Sequence, residues 1–249
     1  MRWVSPAIPA ATLVLFRETA SGPPELLVVE RAKAMAFAGG ALVFPGGRID
    51  PGDEALAAVI APDLRDAPAR IAAIREMIEE AGVAVGFATG SGALAAIRAG
   101  LHDGTPFGEI LARAAAALDL TALVPFARWR PAHAHPRIFD THFYLARAPA
   151  GAAATVDATE NTRLAWMTAR DILVQADAGA VTIIYPTRRN LERLAQYSSF
   201  AAACADADAH PVQTITPYVE RRDGTDHLCI PEGLGYPVTG EPLTQATRG

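Results

Sequence analysis

Three glutamates and one arginine crowd a single short stretch, Arg75-Glu76-Met77-Ile78-Glu79-Glu80-Ala81-Gly82-Val83. At about 100° per residue, the apolar spacing predicts a helix over 71–81. Ile71, Ile74, Ile78 and Ala81 then share one face, and Glu76, Glu79 and Glu80 lie roughly opposite. Like charges so close repel by about a few tenths of a kcal/mol per pair. Such a patch is either a solvated acidic face or a seat for a hard divalent cation. Mg²⁺ takes oxygen ligands and is commonly shared between carboxylates and substrate phosphates. A turn-rich loop, Phe44-Pro45-Gly46-Gly47-Arg48-Ile49-Asp50-Pro51-Gly52-Asp53, precedes the helix. Its Gly46-Gly47 pair lets backbone come close to a ligand or metal.

Loop and helix together resemble the Nudix box, G-x5-E-x7-R-E-U-x-E-E-x-G-U, with U a bulky apolar residue. Gly47 matches the opening glycine, and the run from Arg75 to Val83 matches the second half. Asp53 stands where the family has its first glutamate. The interval from Asp53 to Arg75 is 22 positions against eight in the pattern, so about fourteen residues are inserted between loop and helix. A subgroup of Nudix enzymes that includes peroxisomal coenzyme A diphosphatases is similar in carrying an insert there. The resemblance implies an α/β/α sandwich with a mixed sheet, here with helical inserts and a C-terminal extension. It implies one domain over 1–249: a box at 47–83 with its insert at about 54–68, a helical insert at about 91–118, and an extension from about 187.

Composition agrees with a soluble enzyme. Half of the 249 residues are hydrophobic, but many are alanine, and no run is long enough to span a bilayer. The N-terminus lacks the charged-then-apolar plan of a signal peptide. Net charge of −5 gives no electrostatic case for nucleic acid. Cys204 and Cys229 make no metal or redox spacing. The expectation is a cytoplasmic protein acting on a small nucleotide diphosphate, with no nucleic-acid or membrane partner and a homodimer as the open alternative to a monomer.

The remaining chain supplies positioning elements. Residues 8–16 and 25–31 read as strands of a hairpin, and 41–44 as a short strand leading into the glycines. The insert reads as two helical turns over 54–60, ended by Pro62. Asp66 and Pro68 then mark the start of the next helix. Residues 91–99 and 105–118 read as two alanine-rich helices flanking the sheet. Gly90-x-Gly92-x-x-Ala95 imitates a dinucleotide fingerprint, but no parallel strand returns at βαβ spacing. Residues 122–130 and 137–146 read as strands, separated by His133-Ala134-His135, which has no third ligand at a metal-site spacing. A short helix is expected at 170–176, an extended piece at 182–186, and a helix from Thr187 to about Cys204 with an exposed basic turn at Arg188-Arg189. The tail reads as a hairpin about Asp223-Gly224.

The resemblance also implies roles. Glu76, Glu79 and Glu80, with the Gly47 backbone, would hold Mg²⁺, for which Mn²⁺ is a possible substitute. Glu160 precedes Trp166 by six residues, as a metal-reaching loop glutamate does in several Nudix enzymes. Glu76 or Glu160 would take the proton of the attacking water, and Arg75 would orient a glutamate. Asp53 would stand behind the metal ligands. Arg31 follows a Leu-Leu run like that of some coenzyme A diphosphatases, although Gly40-Ala41 stands where they have Gly-Glu. Arg137 opens an Arg-x-Phe-Asp-Thr run of the same subgroup. Arg31 and Arg137 are therefore candidates for substrate phosphate, against ordinary ion pairs, and Trp129 for base stacking, against packing. A non-catalytic nucleotide-binding module of the same fold remains the rival reading.

Overall fold

The computed structural model describes residues 7–35, 38–87, 91–131, 138–157 and 160–246. A long central strand, β1 (Ile8–Arg17), runs through the middle. Its alternate side chains enter two different cores, as the period of two in a strand requires. Leu13 and Leu15 face one side, Val14 and Phe16 the other, and all four are essentially buried.

β2 (Glu25–Arg31), β3 (Leu42–Val43) and β4 (Gly46–Arg48) follow. β1 pairs antiparallel with β2 at one end, through Phe16 and Leu26, and with β4 at the other, through Ala10–Thr12. The strands therefore diverge, and the glycine segment fills the fork. This corrects the loop expected at 46–48: Gly46 and Gly47 are paired strand residues. A Cβ on Gly46 would lie 2.7 Å from Thr12 Cα, closer than any side chain tolerates.

The insert forms α1 (Pro51–Ile60), and the box helix is α2 (Ala67–Ala81). Asp66 is the residue before α2, but its carboxylate accepts from Arg70 Nε (2.9 Å) and the Tyr144 hydroxyl (3.0 Å) rather than capping the helix. Gly82 ends α2 in the left-handed conformation, which glycine adopts without steric cost. Next come α3 (Ser91–His102) and α4 (Phe107–Ala114). Their apolar side Ile97, Leu101, Phe107, Ile110 and Leu111 packs into the α2 core. α4 stops short of the expected 118 because Ala115 turns left-handed.

β5 (Val124–Trp129) and β6 (Phe139–Arg147) pair antiparallel, and β6 lies parallel to β1 along its whole length. β7 (Asn161–Thr168) returns against β2, and α5 (Ala169–Asp177) follows. Helices α1–α4 cover one face of this mixed sheet. The other is covered by α5, α6 (Tyr185–Leu194) and α7 (Phe200–Ala209). The architecture is the α/β/α sandwich expected from the sequence.

The single helix expected from Thr187 to about Cys204 is two helices. Pro186 sits in the first turn of α6, where its missing N–H costs nothing, so the helix starts at Tyr185 and 182–186 is not wholly extended. The Ser199 hydroxyl accepts from Ala202 N–H (3.1 Å) and starts a new helix, α7. The basic turn is not exposed either. Arg189 is 1% exposed and pairs with Glu192 (2.9 Å) and Glu241 (3.0 Å), while Arg188 pairs with Asp177. Glu241 comes from the tail. There β8 (Thr214–Ile215) joins the main sheet beside β5, and β9 (Tyr218–Arg222), β10 (Thr225–Cys229) and β11 (Gly240–Pro242) form a second sheet. The hairpin turns at Asp223 and Gly224, both at positive φ, as a two-residue hairpin loop requires.

Candidate functional site

Helix α2 lays one side against β1 and β4, and the fork in the sheet opens beside it. A cavity of about 770 Å³ occupies this opening. Glu76, Glu79, Glu80, Gly46, Gly47, Arg31, Arg75 and Glu160 all line it. The acidic patch is therefore not a solvated helix face. The Glu80 side chain is only 5% exposed, Glu76 15% and Glu79 24%.

Each carboxylate is held differently. Glu80 Oε2 accepts from Gly46 N–H at 3.1 Å, and Oε1 lies 3.9 Å from Arg31. Glu76 presses against Gly47, so that a Cβ there would overlap the carboxylate. Arg75 Nη1 donates to Glu76 (2.9 Å) and Glu79 (2.7 Å). The same guanidinium donates to both oxygens of Asp53, from Nε at 3.1 Å and Nη2 at 3.0 Å, and to Arg48 O. Asp53 is 1% exposed and also accepts from Asp50 N–H. The insert thus leaves Asp53 beside Arg75 although 22 positions separate them.

Burial governs the electrostatics. It pushes the Glu76 carboxyl up to about 8; Arg75 opposes this, and Glu80 and Glu79 reinforce it. Burial pushes Glu80 up to about 7, against Asn161, Arg31 and the Gly46 N–H, with Glu160 adding to the rise. Glu79 is raised too, again chiefly by burial. For Arg75 burial works against the charge, but Asp53, Glu76 and Glu79 outweigh it and hold the guanidinium above its ordinary value.

Among the described residues, no three His, Cys, Asp or Glu side chains already enclose a metal position. Arg75 holds two of the acids, and its charge is the cation nearest to them. The donor set still suits Mg²⁺, which dehydrates reluctantly and usually takes only one or two carboxylates beside water and substrate phosphate. The raised carboxyls fit as well, because a group of anions buried with one shared arginine is undercompensated. Two outcomes follow. Metal-free protein should lose stability as pH rises from about 5 to 9. Carboxyls raised from 4.5 in the unfolded chain to about 7 and 8 in the fold contribute stability below pH 4.5 that is lost through those higher values. Saturating Mg²⁺ should flatten that fall and release protons on binding, read by thermal melts and by calorimetry in two buffers. Separately, Gly47→Ala should cut turnover by at least tenfold with a near-parent melting temperature, since its methyl displaces the Glu76 carboxylate.

The other expected residues fall as follows. Glu160 lies at the mouth, 58% exposed, with its carboxylate 3.8 Å from Arg31. Arg31 thus bridges Glu80 and Glu160. Arg137, like His133, His135 and Gly90, lies outside the described residues. Trp129 lines the cavity but is packed, the second of its two expected roles. It is 1% exposed, its Nε1–H donates to Asn190 (3.2 Å), and Tyr185 and Tyr236 meet it edge-on. His102 joins the cavity without having been expected there. It ends α3 at the cavity rim with Nε2 3.2 Å from Glu79 O. No local signal marks it, because α3 has no sequence link to the box.

The fold is that of solved Nudix hydrolases. A Nudix hydrolase from Alicyclobacillus acidocaldarius superposes with a TM-score of 0.70 at 29% identity, over 80% of this chain and 96% of that one. A C. elegans Ap4A hydrolase matches more loosely, with a TM-score of 0.45 at 17% identity over 79% of this chain and 98% of that one. No family model and no curated protein matches the sequence.

Proposed function

We propose that the chain is a Mg²⁺-dependent pyrophosphohydrolase. It cleaves the diphosphate of a nucleoside diphosphate linked to a second group. The observation that carries this is the gathering of Glu76, Glu79 and Glu80 with the Gly46-Gly47 backbone at one end of a large cavity. A pure binding module has no need of that acidic trio. The likeness to the Alicyclobacillus enzyme supports the same reading.

Glu76, Glu79 and Glu80 would hold the divalent ion, with Glu160 joining from the mouth. When bound, the ion neutralises phosphate charge and makes water more acidic. Arg75 fixes Glu76 and Glu79 from behind. Arg31 lines the cavity and would pair with a phosphate oxygen. Water attacks one phosphorus, the bridging P–O bond breaks, and the second phosphate leaves. Glu76 or Glu160 would accept the water's proton.

Coenzyme A and its acyl esters lead as substrates, on the insert between loop and helix. ADP-ribose, NADH and dinucleoside polyphosphates follow. The test is a side-by-side screen of these compounds with Mg²⁺ or Mn²⁺, read by product mass. Release of adenosine 3′,5′-bisphosphate and phosphopantetheine from coenzyme A is the expected result. Cleavage of another compound alone discards that substrate and keeps the reaction. No cleavage of any compound favours the binding module.

A further inference from the structure

The two ends of the cavity differ in chemistry. Its described arginines, Arg31, Arg48 and Arg75, all belong to the carboxylate end, with His102 beside them. Arg31 pairs with Glu80, Arg75 with Glu76, Glu79 and the Arg48 carbonyl, and His102 touches the end of α2. The opposite end, toward the core covered by α5–α7, is walled by Phe44, Phe143 and Leu228, and Ile138, Ile184 and Pro217 complete the apolar lining. Aromatic groups there show their rings and hide their polar atoms. The Tyr185 hydroxyl donates to Leu228 O (2.8 Å), and the Trp129 N–H is spent on Asn190.

We infer that this far end is a specificity chamber, built by the C-terminal segment, for an uncharged aliphatic group carried on the diphosphate. An anionic group would be buried there without a described counter-charge, which is costly. A nucleobase would bring several donors and acceptors. The described side chains at that end offer it little beyond the hydroxyls of Thr141 and Thr187. An aliphatic chain gives up no hydrogen bond by entering, and each methylene removed from water is favourable. The wall is rigidly held: Asn190 of α6 accepts from both Trp129 and Tyr236, and Arg189 ties α6 to Glu241 of β11.

This inference rests on the diphosphate-hydrolase reading, and its test separates the two. The probes are methyl, butyl and octyl esters of the terminal phosphate of ADP, assayed with Mg²⁺ beside the compounds named above. kcat/KM is expected to rise at least tenfold from methyl to octyl. In Ile184→Thr and in Leu228→Ala the octyl-to-methyl ratio should fall at least threefold. A ratio measured on one preparation is unaffected by partial unfolding, so a destabilised variant still reports. Cleavage of the esters without dependence on chain length overturns the chamber and leaves the hydrolase standing. So does a rise that neither variant reduces, or refusal of every ester by an enzyme that cleaves another nucleotide. Failure to cleave any compound overturns both readings.

Discussion

Glu80→Gln is expected to fold as the parent does and to lose roughly 10²–10³-fold in turnover, the usual effect of removing one preorganised electrostatic group. The substitution is nearly isosteric. Its amide oxygen still accepts from Gly46 N–H, the bond that fixes the carboxylate in the fork at 3.1 Å. What disappears is one negative charge at 5% exposure, beside Arg31 and within reach of Glu160. Stability should not suffer. The Glu80 carboxyl is pushed up to about 7 by burial, so at pH 8 the metal-free parent carries an unfavourable buried charge that glutamine lacks. The metal-free variant should therefore melt at or above the parent temperature at pH 8, and this advantage should vanish at pH 5. Full activity in the variant would remove Glu80 from the metal set. A collapsed melting temperature would make it a structural residue.

Arg75→Met should have the opposite profile, with stability and activity lost together. Among the described residues, Arg75 is the single guanidinium that balances Asp53, Glu76 and Glu79, and its side chain is 9% exposed. Its removal strands Asp53 at 1% exposure, and breaking a buried pair of this kind costs about 3–5 kcal/mol. Urea unfolding should show that loss. A second change, Asp53→Asn, in the Arg75→Met background should recover part of it by removing the stranded charge, a coupling that a double-mutant cycle measures. Activity should stay low in the double variant, because Glu76 and Glu79 remain unanchored. Independent, additive losses would mean that Arg75 and Asp53 do not act as a unit.

The site was legible because its chemistry is local in sequence. Four charged residues within one and a half turns and a glycine pair just upstream suffice to mark a carboxylate cluster beside approachable backbone. The strands were legible where apolar residues run together, as in β1, β2 and β6. The helix faces of α3 and α4 followed from their periodicity. Burial of the trio was not legible. Periodicity sets Glu76, Glu79 and Glu80 apart from the apolar face of α2, but cannot show that β4 returns to cover that second side.

What the sequence by itself determined is the candidate carboxylate cluster and most of the elements that carry it. Tertiary structure alone decided which groups meet. Asp53 reaches Arg75 across an insert, and Arg31 at the end of β2 meets Glu80 of helix α2 and Glu160 just before β7. Arg189, expected on a basic turn, is buried because β11 brings Glu241 to it from 52 residues away. Trp129, for which the sequence leaves base stacking and packing both open, is packed edge-on by Tyr185 and Tyr236 from the C-terminal segment. The physical reason is common to all of these. A helix or strand is specified by neighbours a few positions apart, whereas burial and charge pairing depend on segments that only the folded sheet brings together.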